Sequence, residues 1–171
     1  MLWPMFRPLR GPLLAAAALG AVALVPSAAS AAPRACTTAD LSAKVGQVDA
    51  GAGQRQAPLI LTNHSGHTCQ TGGYVGLQLV TAGGKVLPTN AARVAGQTKL
   101  LTLKSGQQAV STMSWTVIAS GNEPADGPCE GTPSDLLVIP PNQRTQTAAA
   151  WKQGPVCGHG KISITPLKKR G

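Results

Sequence analysis

Three histidines are the side chains of this sequence that are best suited to hold a metal ion. His64 and His67 stand three positions apart in a polar segment, and His159 follows Cys157 by two positions. Imidazole nitrogen is a common zinc ligand, so the first two rings could share one ion. Their spacing supplies no third ligand, and short motifs of this kind recur in ordinary turns. His64 and His67 are therefore weak metal candidates; we favour solvated turn residues and predict no cofactor.

The acidic residues are few, and four of the six lie between positions 123 and 135. Glu123, Asp126 and Glu130 could imitate a calcium site, but their oxygens lack the regular spacing of a known calcium loop. Charged residues in a segment rich in Gly and Pro are usually solvated. We therefore interpret these three carboxylates as part of a solvated loop.

No motif in the sequence indicates catalysis. The Gly-x-Ser-x-Gly turn of hydrolases is missing, as is a glycine loop that could cradle phosphate. The sequence thus predicts a protein that is not an enzyme and that has no catalytic residue. One alternative stays open, namely a secreted hydrolase or metal-dependent enzyme that uses His64, His67 and a loop acid.

Residues 1–31 have the pattern of a secretory signal peptide. Arg7 and Arg10 supply positive charge, residues 13–25 are apolar, and Ala29-Ser30-Ala31 offers a cleavage site. An apolar run of 13 residues is shorter than the roughly 20 that a membrane-spanning helix needs. We predict a secreted or envelope-associated protein with no membrane span after cleavage.

A lipid anchor is not expected, although Cys36 lies close to the predicted cleavage site. The residues before it are Pro33, Arg34 and Ala35. A lipid-attachment motif has an aliphatic residue where Pro33 stands and no charge where Arg34 stands. The mature chain is therefore predicted to start near Ala32, which leaves a length that suits one domain.

The cysteines predict two disulfides, because an even number in an exported chain usually forms a covalent framework. The four are Cys36, Cys69, Cys129 and Cys157. The first two flank Ala52 at nearly equal distances, and the last two flank Gln143 in the same way. If each centre is the turn of a β-hairpin, the pairs are Cys36–Cys69 and Cys129–Cys157.

Alternation of apolar and polar residues predicts an all-β fold. In a long central segment, Ala109, Ser111, Met113, Trp115 and Val117 share one face, so Met113 is core rather than a copper ligand. Short strands separated by turn signals favour an immunoglobulin-like β-sandwich. About eight strands are expected, near residues 41–45, 56–62, 74–80, 100–103, 109–117, 136–139, 145–151 and 162–164.

The predicted sandwich spans residues 32–171, with a core from about 36 to 167 and a basic tail at 168–171. Residues 89–97 are predicted to be a loop because they are polar. The segments 64–73 and 119–133 are also predicted loops, and loops at the end of a sandwich commonly bind partners.

Positive charge is the main hint of a partner. Without Arg7 and Arg10, thirteen basic residues face six acidic ones, a net charge of +7. Nucleic acid is an unlikely partner, because the mature chain has three aromatic residues and single-strand binders need stacking platforms. An anionic cell-wall polymer fits the charge better, unless the charge only maintains solubility. The candidate binding surface is Tyr74, Lys168, Lys169 and Arg170.

Several motifs together resemble a known actinobacterial family of secreted or lipid-anchored domains, described only as a domain of unknown function. They are Cys36, residues 58–69 (PLILTNHSGHTC), Gly73-Tyr74, Leu77, Leu79, Trp115, Cys129, residues 138–141 (VIPP), Trp151 and Cys157. The resemblance implies a β-sandwich with two disulfides. It implies no reaction and supplies no catalytic residue.

Taken together, the sequence favours an exported non-enzymatic domain that binds at the cell envelope or to an extracellular protein partner. A purely structural envelope protein is a second alternative beside the enzyme.

Overall fold

Strands account for most of the regular structure in this computed structural model, which describes residues 32–171. The predicted signal peptide, residues 1–31, lies outside the described residues. The strands are β1 (Leu41–Val45), β2 (Asp49–Gly51), β3 (Gln54–Asn63), β4 (Cys69–Thr71), β5 (Gly76–Val80), β6 (Asn90–Arg93), β7 (Leu101–Leu103), β8 (Gln108–Thr116), β9 (Asp135–Ile139), β10 (Thr147–Ala150), β11 (Lys161–Ile164) and β12 (Lys168–Lys169). A 3-10 turn (Thr38–Asp40) and a turn at Cys157–Gly160, which is left-handed at positions 158–160, complete the described elements.

The larger sheet has the strand order β1-β3-β8-β11-β6, with β2 beside β3 and β12 beside β8. Its longest pair joins β3 to β8 in antiparallel register, from Gln54 opposite Thr116 to Thr62 opposite Gln108. Every second residue of β8 is buried, namely Ala109, Ser111, Met113 and Trp115. This is the face that alternation predicts, and Met113 belongs to the core.

A smaller antiparallel sheet, in the order β10-β9-β5, shares the core with the larger one. The Trp115 and Trp151 rings meet inside it, with centroids 4.9 Å apart. β4 pairs with β7 as a separate ribbon, so the predicted loop 64–73 contains a short strand. The all-β fold class is confirmed, whereas the immunoglobulin-like strand order stays a prediction.

One loop prediction is wrong. Residues 89–97 are not wholly loop, because Asn90–Arg93 forms β6 and pairs in parallel with β11. Within the predicted basic tail, Lys168–Lys169 forms β12 and pairs with Val110 and Ala109 of β8. β11 pairs with only Met113 and Ser114 of β8, which leaves backbone groups of the same strand available to β12.

Two disulfides join the pairs that the hairpin argument predicts. Cys36 is bonded to Cys69 with a Cα–Cα distance of 4.9 Å, and Cys129 to Cys157 with 5.5 Å. The turn of the first hairpin lies at residues 52–53, and β9 pairs with β10 in the second. By the loop-entropy argument, each bond stabilises the fold by about 3–4 kcal/mol. No helix in the described residues is long and apolar enough to cross a membrane.

Candidate functional site

A cavity of about 590 Å³ lies between the C-terminal segment and the chain that follows β6. We call it the lysine groove, because Lys99, Lys168 and Lys169 line it. Its other lining residues are Ala95, Gly96, Gln97, Leu101, Thr165, Pro166 and Leu167. The groove therefore combines three lysine residues with apolar residues.

The C-terminal wall of the lysine groove is held against β8. The Thr165 carbonyl accepts a hydrogen bond from the Ser111 hydroxyl at 2.5 Å, and the Thr165 hydroxyl accepts one from the Thr112 N–H at 2.9 Å. Leu167 is buried, and its N–H donates to the Gly73 carbonyl at 2.8 Å. These bonds lie directly before β12, which itself pairs with β8. Lys168 and Lys169 therefore project from a fixed backbone.

The opposite wall is fixed by Tyr74, which sequence analysis offers as a binding residue. Its hydroxyl donates to the Val94 carbonyl at 2.6 Å, and the Arg93 guanidinium carbon lies 5.2 Å from its ring centroid. A Cβ on Gly96 would lie 2.9 Å from Pro166 Cγ, so the two walls nearly touch there. Tyr74 does not itself line the lysine groove. It positions the wall of the groove through its bond to Val94.

The lysines of the groove have no acidic neighbour to neutralise them. Across residues 32–171, the charged contacts within 4.0 Å involve Arg34, His67 and His159 on the basic side and include no lysine. Lys99, Lys168 and Lys169 are exposed to solvent. Lysine binds phosphate as a point charge, so the groove suits an anionic ligand.

Arg170 lies apart from the lysine groove, although it follows Lys169 in the chain. Its guanidinium donates to the Gln108 side-chain oxygen at 3.1 Å, and its N–H donates to the Gln108 carbonyl at 2.9 Å. It lines a separate shallow cavity of about 290 Å³. The four residues of the candidate surface therefore have three different roles. Lys168 and Lys169 line the groove, Tyr74 supports its wall, and Arg170 lines a separate cavity.

His67 lies beside Asp40, Arg34 and Ser65, while the His64 side chain is exposed. His67 Nε2 is 3.4 Å from Asp40 Oδ1 and 3.4 Å from Ser65 Oγ, and it also contacts the Arg34 guanidinium. In a Ser-His-Asp triad the serine and the carboxylate use opposite ring nitrogens. Here both approach one nitrogen, and the Ser65 hydroxyl donates to the Asn63 side-chain oxygen at 2.6 Å.

Asp40 is a structural carboxylate at the last position of the 3-10 turn. Burial by itself would raise its pKa, but hydrogen bonds from the Thr37 N–H at 2.7 Å and hydroxyl at 2.8 Å, together with Arg34 at 3.0 Å, lower the pKa to about 2. The bond from the Thr37 N–H to the Asp40 carboxylate is one half of a capping box. Asp40 therefore anchors the segment that leads into β1.

A second cluster joins Glu123 and Glu130, which belong to one predicted acidic loop, to His159, which lies outside that loop in the sequence. The His159 N–H donates to Glu123 Oε1 at 2.8 Å, and the Gly158 N–H donates to Oε2 at 2.9 Å. The bond from the His159 N–H outweighs burial and lowers the pKa of Glu123 to about 2, with help from the Gly158 and Ser120 N–H groups. Asp126 does not belong to this group.

The sequence already indicates that two members of this cluster, Glu130 and His159, lie close together. Glu130 is next to Cys129 and His159 is two residues beyond Cys157, so the predicted disulfide already brings them close.

The fold and the lysine groove define an all-β domain with two disulfides and a cavity lined by three lysines. The chain belongs to the family described as Domain of unknown function (DUF4232), whose model matches residues 36–168. No curated protein and no solved structure matches the chain. Membership of a family of unknown function is therefore confirmed, whereas actinobacterial origin and secretion stay predictions.

Proposed function

We propose that this protein is an exported, non-enzymatic domain that binds an anionic polymer of the cell envelope in the lysine groove. The observation that carries the proposal is a cavity of about 590 Å³ with three exposed lysines that, within residues 32–171, have no acidic group within 4.0 Å. A polymer with repeated phosphate groups would meet several ammonium groups at once, and its apolar parts would contact Leu101 and Pro166.

Export is supported by independent features of the chain. Two disulfides are typical of proteins outside the reducing cytosol, and residues 1–31 have the signal-peptide pattern. A basic domain released outside the cell would meet anionic wall polymers first. The proposal places the domain at the envelope without a lipid anchor.

The enzyme alternative has less support. His67 meets Ser65 and Asp40 through one nitrogen, and His64 belongs to no group of three metal-ligating side chains within residues 32–171. A purely structural envelope protein would need no groove and would tolerate the loss of its lysines.

The test is co-sedimentation of the chain without residues 1–31 with isolated cell walls, at low and high salt. We expect retention at low salt that disappears at high salt, because salt screens exposed charges. The variant K99Q/K168Q/K169Q should lose retention. A matched control, K44Q/K85Q/K152Q, removes the same charge from exposed positions outside the groove and should keep it.

Two outcomes would count against the proposal. Equal loss in both triple variants would mean that net charge alone drives attachment. No retention of the wild-type protein at either salt concentration would make the charge incidental.

A further inference from the structure

Two carboxylates and one imidazole lie close together in the structure, and they belong to Glu123, Glu130 and His159. One ligand atom from each lies within 4.8 Å of the other two. His159 Nδ1 is 3.5 Å from Glu130 Oε1 and 4.0 Å from Glu123 Oε1. The cluster is therefore a mixed oxygen and nitrogen donor set.

The backbone around the cluster is constrained on both sides. The Cys129–Cys157 disulfide fixes the chain next to Glu130 and two residues before His159. His159 itself has a φ of 55°, a left-handed conformation that places its N–H on Glu123. These constraints hold the backbone of Glu130 and His159 close to the Glu123 carboxylate.

The charges at this point are not balanced by a permanent cation of the protein. Across residues 32–171, the charged contacts of Glu123 and Glu130 are with His159 alone. The Glu123 side chain is 2% exposed and that of Glu130 is 19% exposed, so water screens them little. A buried carboxylate normally accepts hydrogen bonds, pairs with a cation or coordinates a metal. The N–H groups of Ser120, Gly158 and His159 already serve Glu123, so within residues 32–171 it is Glu130 whose charged contact is His159 alone.

We propose that Glu123 Oε1, Glu130 Oε1 and His159 Nδ1 form a binding site for a divalent transition cation of the zinc type. Tetrahedral zinc holds neighbouring ligand atoms about 3.4 Å apart, given bonds of about 2.0–2.2 Å. The contact of 3.5 Å already fits. The contact with Glu123 closes by a small movement of the His159 side chain, which is 60% exposed, and the two carboxylates approach each other by a small movement of Glu130, which is 19% exposed. The open side at His159 leaves the fourth position to water.

The donor set also favours transition metals over calcium and magnesium. Calcium and magnesium prefer all-oxygen sites with six or more ligands, whereas imidazole favours zinc, copper and nickel. None of the three residues lines the lysine groove. A failure of polymer binding would therefore leave the proposed zinc site untouched, and the reverse also holds.

The experiment is a titration of zinc into the purified, untagged and chelator-treated protein, followed by calorimetry. We expect one zinc ion per molecule. H159A and E130Q should each weaken binding at least as much as the roughly 10–100-fold that loss of a supporting partner costs. H64A/H67A removes the other two histidines and should leave binding unchanged, and excess magnesium should not compete.

Circular dichroism of each variant shows whether it is folded before titration. No zinc uptake by the wild-type protein would overturn the proposal. Uptake that survives H159A and E130Q but disappears in H64A/H67A would overturn it as well.

Discussion

The Tyr74 hydroxyl donates a hydrogen bond of 2.6 Å to the Val94 carbonyl, and this contact joins the start of β5 to one wall of the lysine groove. Y74F keeps the ring and its contact with Arg93 but removes this bond. We expect a loss of about 0.5–1.5 kcal/mol in the free energy of unfolding, measured by urea denaturation. We also expect weaker retention on cell walls, because residues 94–97 lose one anchor and keep only the bond from the Val94 N–H to the Ile164 carbonyl at their start. Wild-type retention in a folded Y74F would show that the wall needs no such anchor.

The pKa of Asp40 predicts a loss of stability in acid. Its folded value of about 2 lies below the ordinary value near 3.9, so its contribution is full above pH 4 and disappears as the pH falls towards 2. We expect D40N to cost about 1–2 kcal/mol at pH 7, a figure that allows for solvent screening at the half-exposed Arg34.

The measurement is urea denaturation of wild type and D40N at several pH values from 7 to 2. The difference between the two proteins should shrink over the lower half of that range. D49N, which changes an exposed carboxylate on β2, is the matched control and should show a small, flat difference. A D40N deficit that stays constant down to pH 2 would contradict the assigned role.

Much of the fold could be predicted because its signals are local. The face of β8 follows from alternation between Ala109 and Trp115, and both disulfides follow from two hairpins. β6 could not be predicted, because Asn90–Arg93 has small or polar side chains and pairs in parallel with a strand about 70 residues later.

The lysine groove could be predicted only in part. The run from Lys168 to Arg170 is visible in the sequence, but Lys99 joins it through tertiary packing, and Arg170 is separated from it by its bonds to Gln108. Tyr74 stands out as an isolated aromatic residue, and only the contact with Val94 shows that it supports a wall. Spacing along the chain carries no information about such contacts.

Gly160 is the position where a side chain should be least tolerated. Its φ is +71°, and a Cβ there would lie 1.9 Å from the Pro88 carbonyl oxygen. G84A is the matched control, because Gly84 has a φ of +76° with open space around it. We expect G84A to lose about 1–2 kcal/mol of unfolding free energy from backbone strain alone. G160A should lose clearly more, or fail to fold, whereas equal losses would mean that the backbone around Pro88 yields.

The two disulfides should have equal effects on stability and unequal effects on zinc. Removing either pair, as C36A/C69A or C129A/C157A, should lower the free energy of unfolding by about 3–4 kcal/mol, because the closed loops have similar lengths of 33 and 28 residues. Only the second bond fixes the chain beside Glu130 and His159. We therefore expect zinc binding to weaken in C129A/C157A and to persist in C36A/C69A, measured on folded protein at low temperature. Equal zinc affinity in both variants would show that the donor set keeps its geometry without the covalent bond.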